Sequence, residues 1–387
     1  MEKLDVVVIG AGMGGLTAAV ALRQAGYQVR VYDRVKELLP AGAGVSLWSN
    51  GVKVLDRLGL GAGIRAIGGP LRAMCYASSS GRELTRFSLE PLVAAVGERP
   101  YPVTRTELQQ LLLGALGPGG VQLAHNCVGV EPGEGHVTAM FEGGRRASAD
   151  LVVAADGTHS SLRQFVIGSR AERRYVGYVN FNGLVSVNEC LGAPDTWVTY
   201  VGEGKRVALM PVGGRRFYFF FDVPLPEGTA PLPGGVQAEL RHHFAGWAEP
   251  VQQLINRLDP ARTQRLEIFD VAPLPQLVRG RVALLGDAGH STAPDLGQGG
   301  CQAMEDAWVL GNVLLTNNLG VEDALARYEV ARHARTSDII ARARKRANVT
   351  HGAVPAETDA WYEELASEDG SRIIRALAQT ITGGPLG

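Results

Sequence analysis

Four consecutive apolar residues, Val6-Val7-Val8-Ile9, follow Asp5 and stop at Gly10. From Gly14 to Ala25 the residues are small or apolar at helical spacing, and Gly26 ends the run. Gln28 to Asp33 then alternates, with Val29 and Val31 on one face. The pattern predicts a β-α-β unit of a parallel sheet. Leu151-Val152-Val153-Ala154-Ala155 and Arg281-Val282-Ala283-Leu284-Leu285 are apolar runs of the kind that is buried on both faces. All three strands end in glycine-containing turns, at Gly10, Asp156-Gly157 and Gly286-Asp287. Ligands of open parallel sheets bind beyond the carboxyl ends of the strands, so these turns should converge on one ligand.

The pattern changes between about residues 172 and 274. Trp197 to Val201, Arg206 to Met210 and Arg216 to Phe221 read as strands separated by glycine turns, as in an antiparallel sheet. Pro224, Pro226, Pro231 and Pro233 mark a loop. This block reads as an inserted substrate domain, with residues 1–171 and 275–387 forming a Rossmann-like α/β domain with C-terminal helices. After Gly300 the pattern is helical to roughly Asn348, and the Arg342-Ala343-Arg344-Lys345-Arg346 run reads as a solvated helical face.

Composition narrows the function classes. The 387 residues are 45% hydrophobic and 20% charged, as in a soluble globular protein. A net charge of -1 leaves no basic excess for a phosphate backbone, so no nucleic-acid partner is expected. Cys75, Cys127, Cys190 and Cys301 show no metal or disulfide spacing, which implies a reducing compartment and no metal. Glu2 and Asp5 give the start the wrong charge for a secretory signal. The uncharged stretches from Val6 to Leu22 and from Leu108 to Val130 are broken by glycines and read as no membrane span. A cytoplasmic location is expected.

Gly10-Ala11-Gly12-Met13-Gly14-Gly15 fits G-x-G-x-x-G between a strand and a helix. Gly10 permits the tight turn, Gly12 lets backbone approach a pyrophosphate, and Gly15 lets helix and strand pack closely. Asp33 follows at the end of the second strand, where a carboxylate accepts hydrogen bonds from a ribose. A dinucleotide is implied, and these residues leave FAD and NAD both open.

Three further motifs carry a resemblance. They are Asp156-Gly157-Thr158-His159-Ser160-Ser161-Leu162-Arg163, Gly286-Asp287-Ala288-Gly289-His290, and Pro294-Asp295-Leu296-Gly297-Gln298-Gly299-Gly300 before Cys301. With Arg105 in Arg105-Thr106-Glu107-Leu108, the chain resembles the FAD-dependent aromatic hydroxylases over essentially its whole length. The resemblance implies FAD as cofactor and NADH, or NADPH, as transient electron donor, consistent with the single G-x-G-x-x-G. It places Asp156 and Arg105 near the cofactors and Asp287 at the ribityl and pyrophosphate part. The helix after Gly297, Gln298, Gly299, Gly300 and Cys301 would point at the flavin, where its N-terminus suits the charge of the reduced ring. His290 reads as structural and Asp295 as a helix cap.

Within the family, Tyr175 to Val185, Val201 to Arg206 and Arg216 to Asp222 are similar to the members that hydroxylate urate. That similarity puts Asn180, Arg206 and Tyr218 against the substrate, with Arg206 and Tyr218 catalytic and Tyr218 orienting either Arg206 or the substrate. Ser46 and Cys127 match cofactor contacts, the latter through backbone. Asp33-Arg34 departs from a glutamate and a small residue in those members, and either acid can hold a ribose. The implied reaction is NADH-dependent oxygen transfer to C5 of urate through a C4a-hydroperoxyflavin, giving 5-hydroxyisourate. A phenolic acid such as a hydroxybenzoate is the alternative substrate, and a flavin-binding protein without turnover is the alternative class.

Overall fold

The computed structural model describes residues 3–38, 43–316 and 320–387, so Glu2 lies outside the described residues. The strand Asp5–Ile9 lies between Gln28–Tyr32 and Leu151–Ala154, parallel to both, and Leu151–Ala154 pairs in parallel with Val282–Leu284. Val121–Gln122 and Val278–Arg279 complete this six-stranded sheet at its edges. Val6, Val7, Val8, Leu151, Val152 and Val153 are fully buried because layers cover both faces. The helices Met13–Gln24 and Gly299–Leu315 pack on one face. The three-stranded sheet of Cys127–Pro132, Val137–Phe141 and Arg146–Ala149 covers the other.

The inserted region forms most of a seven-stranded sheet. Its order is Gln264–Val271, Arg173–Ser186, Arg216–Pro224, Lys205–Val212, Thr196–Gly202, Ala73–Ser78 and Glu83–Ser88. The last two strands come from outside residues 172–274, and Thr196–Gly202 joins Ala73–Ser78 in parallel. The sheet is therefore mixed and stitches the insertion to the first domain. The sequence boundary misses this because backbone pairing across more than a hundred residues leaves no local mark.

Along Arg216–Pro224 the period-two alternation does the sorting. Phe217, Phe219 and Phe221 bury themselves against the helices Gly235–His243 and Glu249–Arg257. Tyr218, Phe220 and Asp222 point the other way, toward the first domain. The C-terminal part is helical over Val321–Thr350, Pro355–Ser367 and Ser371–Thr382. The first of these is packed between the two sheets, which corrects the reading of its basic run. Arg344 is paired with the buried Asp270 at 2.6 Å, and Arg346 faces an internal cavity. Lys345 is exposed. No helix among the described residues is long and apolar enough to cross a membrane.

Candidate active site

The three predicted turns do converge. They border one cavity of about 930 Å³ that runs from the glycine-rich turn to the face of the seven-stranded sheet. Gly10 turns with φ +108°, and a β-carbon there would stand 2.2 Å from the carbonyl oxygen of Ala155. Gly12 caps the helix Met13–Gln24 and has open space where a β-carbon would sit, so a ligand can touch its backbone. Gly14 borders the cavity, while Gly15 lies against the carbonyl oxygen of Gly10. Asp33 braces the turn from the next strand. Its Oδ2 accepts from the amide of Ala11 at 2.7 Å and its Oδ1 from the amide of Val35 at 3.0 Å. Arg34 is exposed and lies off the cavity.

The second and third turns are stitched together by Arg163. Its Nε donates to the carbonyl of Ala288 and its Nη2 to that of Asp287, each at 2.7 Å, and Nη1 reaches Thr158 O. Asp156 is occupied inward, accepting from the amide of Ser161 at 2.8 Å, and Gly157 is the residue of that pair that borders the cavity. The Ser161 hydroxyl donates to the carbonyl of Cys127, whose thiol is buried and which is not among the residues lining the cavity.

Beneath the third turn lies a charged network. Asp306 accepts from the amide of Gly286 and from His290 Nε2, at 2.9 and 2.5 Å. Arg332 holds Asp306 and Glu305 at 2.6 and 2.7 Å. His290 is thus buried on Asp306 and is not among the residues lining the cavity. Burial alone would raise the Asp306 carboxyl, but His290 and Arg332 outweigh it and hold it at about 2.

Asp287, Gly297, Gly299 and Gly300 border the cavity at the N-terminus of the helix Gly299–Leu315. Gln298 also borders it, but its side-chain oxygen accepts from Asn50 and Gln302. Cys301 is fully buried and is not among the residues lining the cavity, and burial pushes its thiol up to about 12. Ser46 and Arg105 line the wall beside Trp48, whose buried Nε1 has no partner among the described residues. Two helix N-termini, an open glycine cradle and an unpartnered indole N–H on one cavity fit a dinucleotide carrying a polar ring system, as FAD does.

At the sheet end stands Arg206. Asp222 Oδ2 lies 2.7 Å from both Nε and Nη2, and Asp295 Oδ1 lies 3.1 Å from Nη2. Nη1 makes no hydrogen bond among the described residues, and Arg206 borders the cavity. Burial alone would depress the guanidinium, but Asp222 and Asp295 overcome that and hold it charged. Burial alone would likewise raise Asp295, and Arg206 and His351 bring it down to about 2.

Asp295 also accepts from Tyr178 OH at 2.8 Å and faces His351 Nε2 at 3.3 Å. His351 Nδ1 lies 3.2 Å from the carbonyl of Gly204. Asn180 Nδ2 donates to Asp222 Oδ1 at 2.6 Å, and Asn182 Nδ2 donates to Asn180 Oδ1 at 2.8 Å. The result is one continuous polar chain from Asn182 to His351.

Asn180, Arg206 and Tyr218 therefore border the same cavity. Two sequence readings change. Asp295 does not cap a helix; it is an ion-pair partner of Arg206. Arg206 is oriented by Asp222 and Asp295 rather than by Tyr218, whose hydroxyl has no protein bond among the described residues. Burial pushes that hydroxyl up to about 12, so it is a neutral donor at ordinary pH. Asp222, Asn182, Tyr178 and His351 were missed. Asp222 had a signal in the strand alternation, two positions beyond Phe220, whereas His351 arrives from a distant helix end.

The parallel sheet, the glycine turn and the inserted sheet define a flavoprotein monooxygenase, and the chain belongs to the family defined by its FAD binding domain, whose family model matches residues 3–343. It is 53% identical over 385 residues to the FAD-dependent urate hydroxylase of Klebsiella pneumoniae, covering 99% of this chain and 100% of that one. It is 49% identical to the FAD-dependent urate hydroxylase of Mycolicibacterium vanbaalenii, over 99% and 98%. Klebsiella pneumoniae HpxO, solved with FAD and uric acid, superposes with a TM-score of 0.96 at 52% identity, covering 99% of this chain and 98% of that one.

Proposed function

We propose that the protein hydroxylates urate at C5, with FAD as bound cofactor and NADH as the transient donor. The observation that carries this reading is the charged Arg206, fixed by two carboxylates in the wall of the cavity the glycine turns enclose. Bound FAD would accept the electrons of NADH and activate molecular oxygen.

The chain supplies the rest. Free Nη1 of Arg206 would anchor the urate anion, and the Phe220 ring, 5.1 Å from the guanidinium carbon, would set the plane of approach. A cation locked by Asp222 and Asp295 needs no rearrangement as negative charge shifts on the substrate. The spare N–H of Asn180 and the neutral Tyr218 hydroxyl would meet the amide-like edges of the purine. The N-terminus of the helix Gly299–Leu315 would stabilise the anionic reduced ring. The deciding experiment follows NADH and oxygen consumption together. Urate should accelerate both and be consumed in step, whereas stimulation by phenolic acids alone would overturn the substrate, and no oxygen use with any substrate would overturn the enzyme.

A further inference from the structure

The cavity does not end at Arg206. Its lining also takes in Tyr76 and, on the C-terminal helices, Trp361, Arg342 and the exposed Arg372. Most charges in this part of the lining are matched. Arg372 pairs with Glu364, and Arg342 with Asp338 and the Thr380 hydroxyl. Glu368 accepts from the amide of Arg372.

Arg346 lies one helical turn inward from Arg342 and differs from both. Its guanidinium carbon sits 4.2 Å from the centre of the Trp361 ring, and among the described residues it makes no hydrogen bond and no ion pair. It lines the same cavity as Arg206. Burial first, and then repulsion from Arg206, push this guanidinium below its ordinary value, against the opposing pull of the Asp295 and Glu364 carboxylates. A guanidinium held on an aromatic face keeps its edge N–H groups free, and free donors in a low-dielectric channel attract an anion.

We infer that Arg346 and Trp361 form an outer anion subsite, where the urate anion docks before passing inward to Arg206. Trp361 fixes the guanidinium over its ring, and the guanidinium's free N–H groups are what the anion meets. The inference rests on the proposed urate hydroxylation. It makes Arg346 a residue that sets the rate of capture and leaves oxygen transfer to the inner cluster.

The test is stopped-flow binding of urate to the oxidised FAD-loaded enzyme, read from the flavin spectrum at low and high salt, for the parent, Arg346→Gln and Arg346→Lys. In the parent the association rate should fall with salt. Arg346→Gln should lower the low-salt rate by about tenfold and flatten the salt dependence, the scale of electrostatic steering. Arg346→Lys should restore most of it. Coupling of NADH to product should stay unchanged in all three, which a general packing defect would not produce. An Arg346→Gln rate equal to the parent's at low salt overturns the subsite. A salt-independent parent rate overturns it without recourse to any variant. A parent enzyme that binds no urate overturns the proposed function instead.

Discussion

Arg206 and Asp222 stand opposite each other on adjacent strands, with Asp222 Oδ2 2.7 Å from the guanidinium Nε. On its other flank the same Asp222 stands opposite Asn180 and accepts its side-chain amide. One carboxylate on a central strand thus sets two side chains that border the cavity. Replacing Arg206 with Gln keeps hydrogen bonding but removes the cation. Reduction of the flavin by NADH should survive, and urate hydroxylation should fall by about two orders of magnitude, the scale of one lost electrostatic stabiliser. NADH consumption would then exceed product formed, with hydrogen peroxide as the balance. Full coupling at an unchanged rate in Arg206→Gln would remove Arg206 from the chemistry.

Asp295→Asn tests the second orienting carboxylate. The substitution preserves shape and removes a charge-assisted bond of about 1.5–3 kcal/mol to Arg206. Coupling of NADH to product should drop while the FAD content of the purified protein stays at the parent level. Loss of FAD as well would mean that Asp295 holds the fold around the cofactor rather than the guanidinium alone.

Asp33→Ala tests the other end of the cavity. It removes the acceptor for the Ala11 amide and the carboxylate expected to hold the ribose. FAD affinity should weaken by about 1.5–3 kcal/mol. Equilibrium titration of the apoprotein with FAD measures this, and equal affinity in Asp33→Ala would place the carboxylate off the cofactor.

Tyr218→Phe addresses protonation. With its hydroxyl pushed up to about 12, Tyr218 carries its proton throughout the working range. The variant should turn over more slowly, yet its pH-rate profile from about 6 to 10 should keep the parent's shape. Disappearance of a limb of that profile in Tyr218→Phe would show that the phenol titrates during the reaction.

Which parts of this were legible in the sequence follows from how local their cause is. The first β-α-β unit was readable because Val6 to Ile9 and Gly10 to Gly15 act within one turn of chain. The alternation of Phe217, Phe219 and Phe221 with Tyr218, Phe220 and Asp222 was likewise local. Asp295 reads as a cap because its segment leads directly into a helix, and only the fold brings Arg206 within 3.1 Å. Arg344 and Arg346 looked like a solvated charge run. Asp270 and Trp361, which hold them, lie on other elements.

The last prediction concerns acid stability and rests on Asp306. This fully buried carboxylate joins His290, Arg332 and the amide of Gly286, so it carries the turn that holds Asp287. Its folded-state value of about 2 lies below the ordinary 3.8. A depressed carboxylate contributes stability that is complete above its unfolded value and is lost as pH falls through its folded value. The parent should therefore lose stability progressively from about pH 4 down to pH 2. Asp306→Asn keeps the size but leaves Arg332 and His290 without that charge, and breaking such a buried group costs about 3–5 kcal/mol. The variant should unfold at lower urea at pH 7, and its midpoint should fall less steeply between pH 4 and 2, because this carboxylate no longer titrates. Urea midpoints measured at pH 7, 4, 3 and 2 would check both. A variant whose acid loss parallels the parent's would assign the acid sensitivity to other carboxylates, Asp295 first among them.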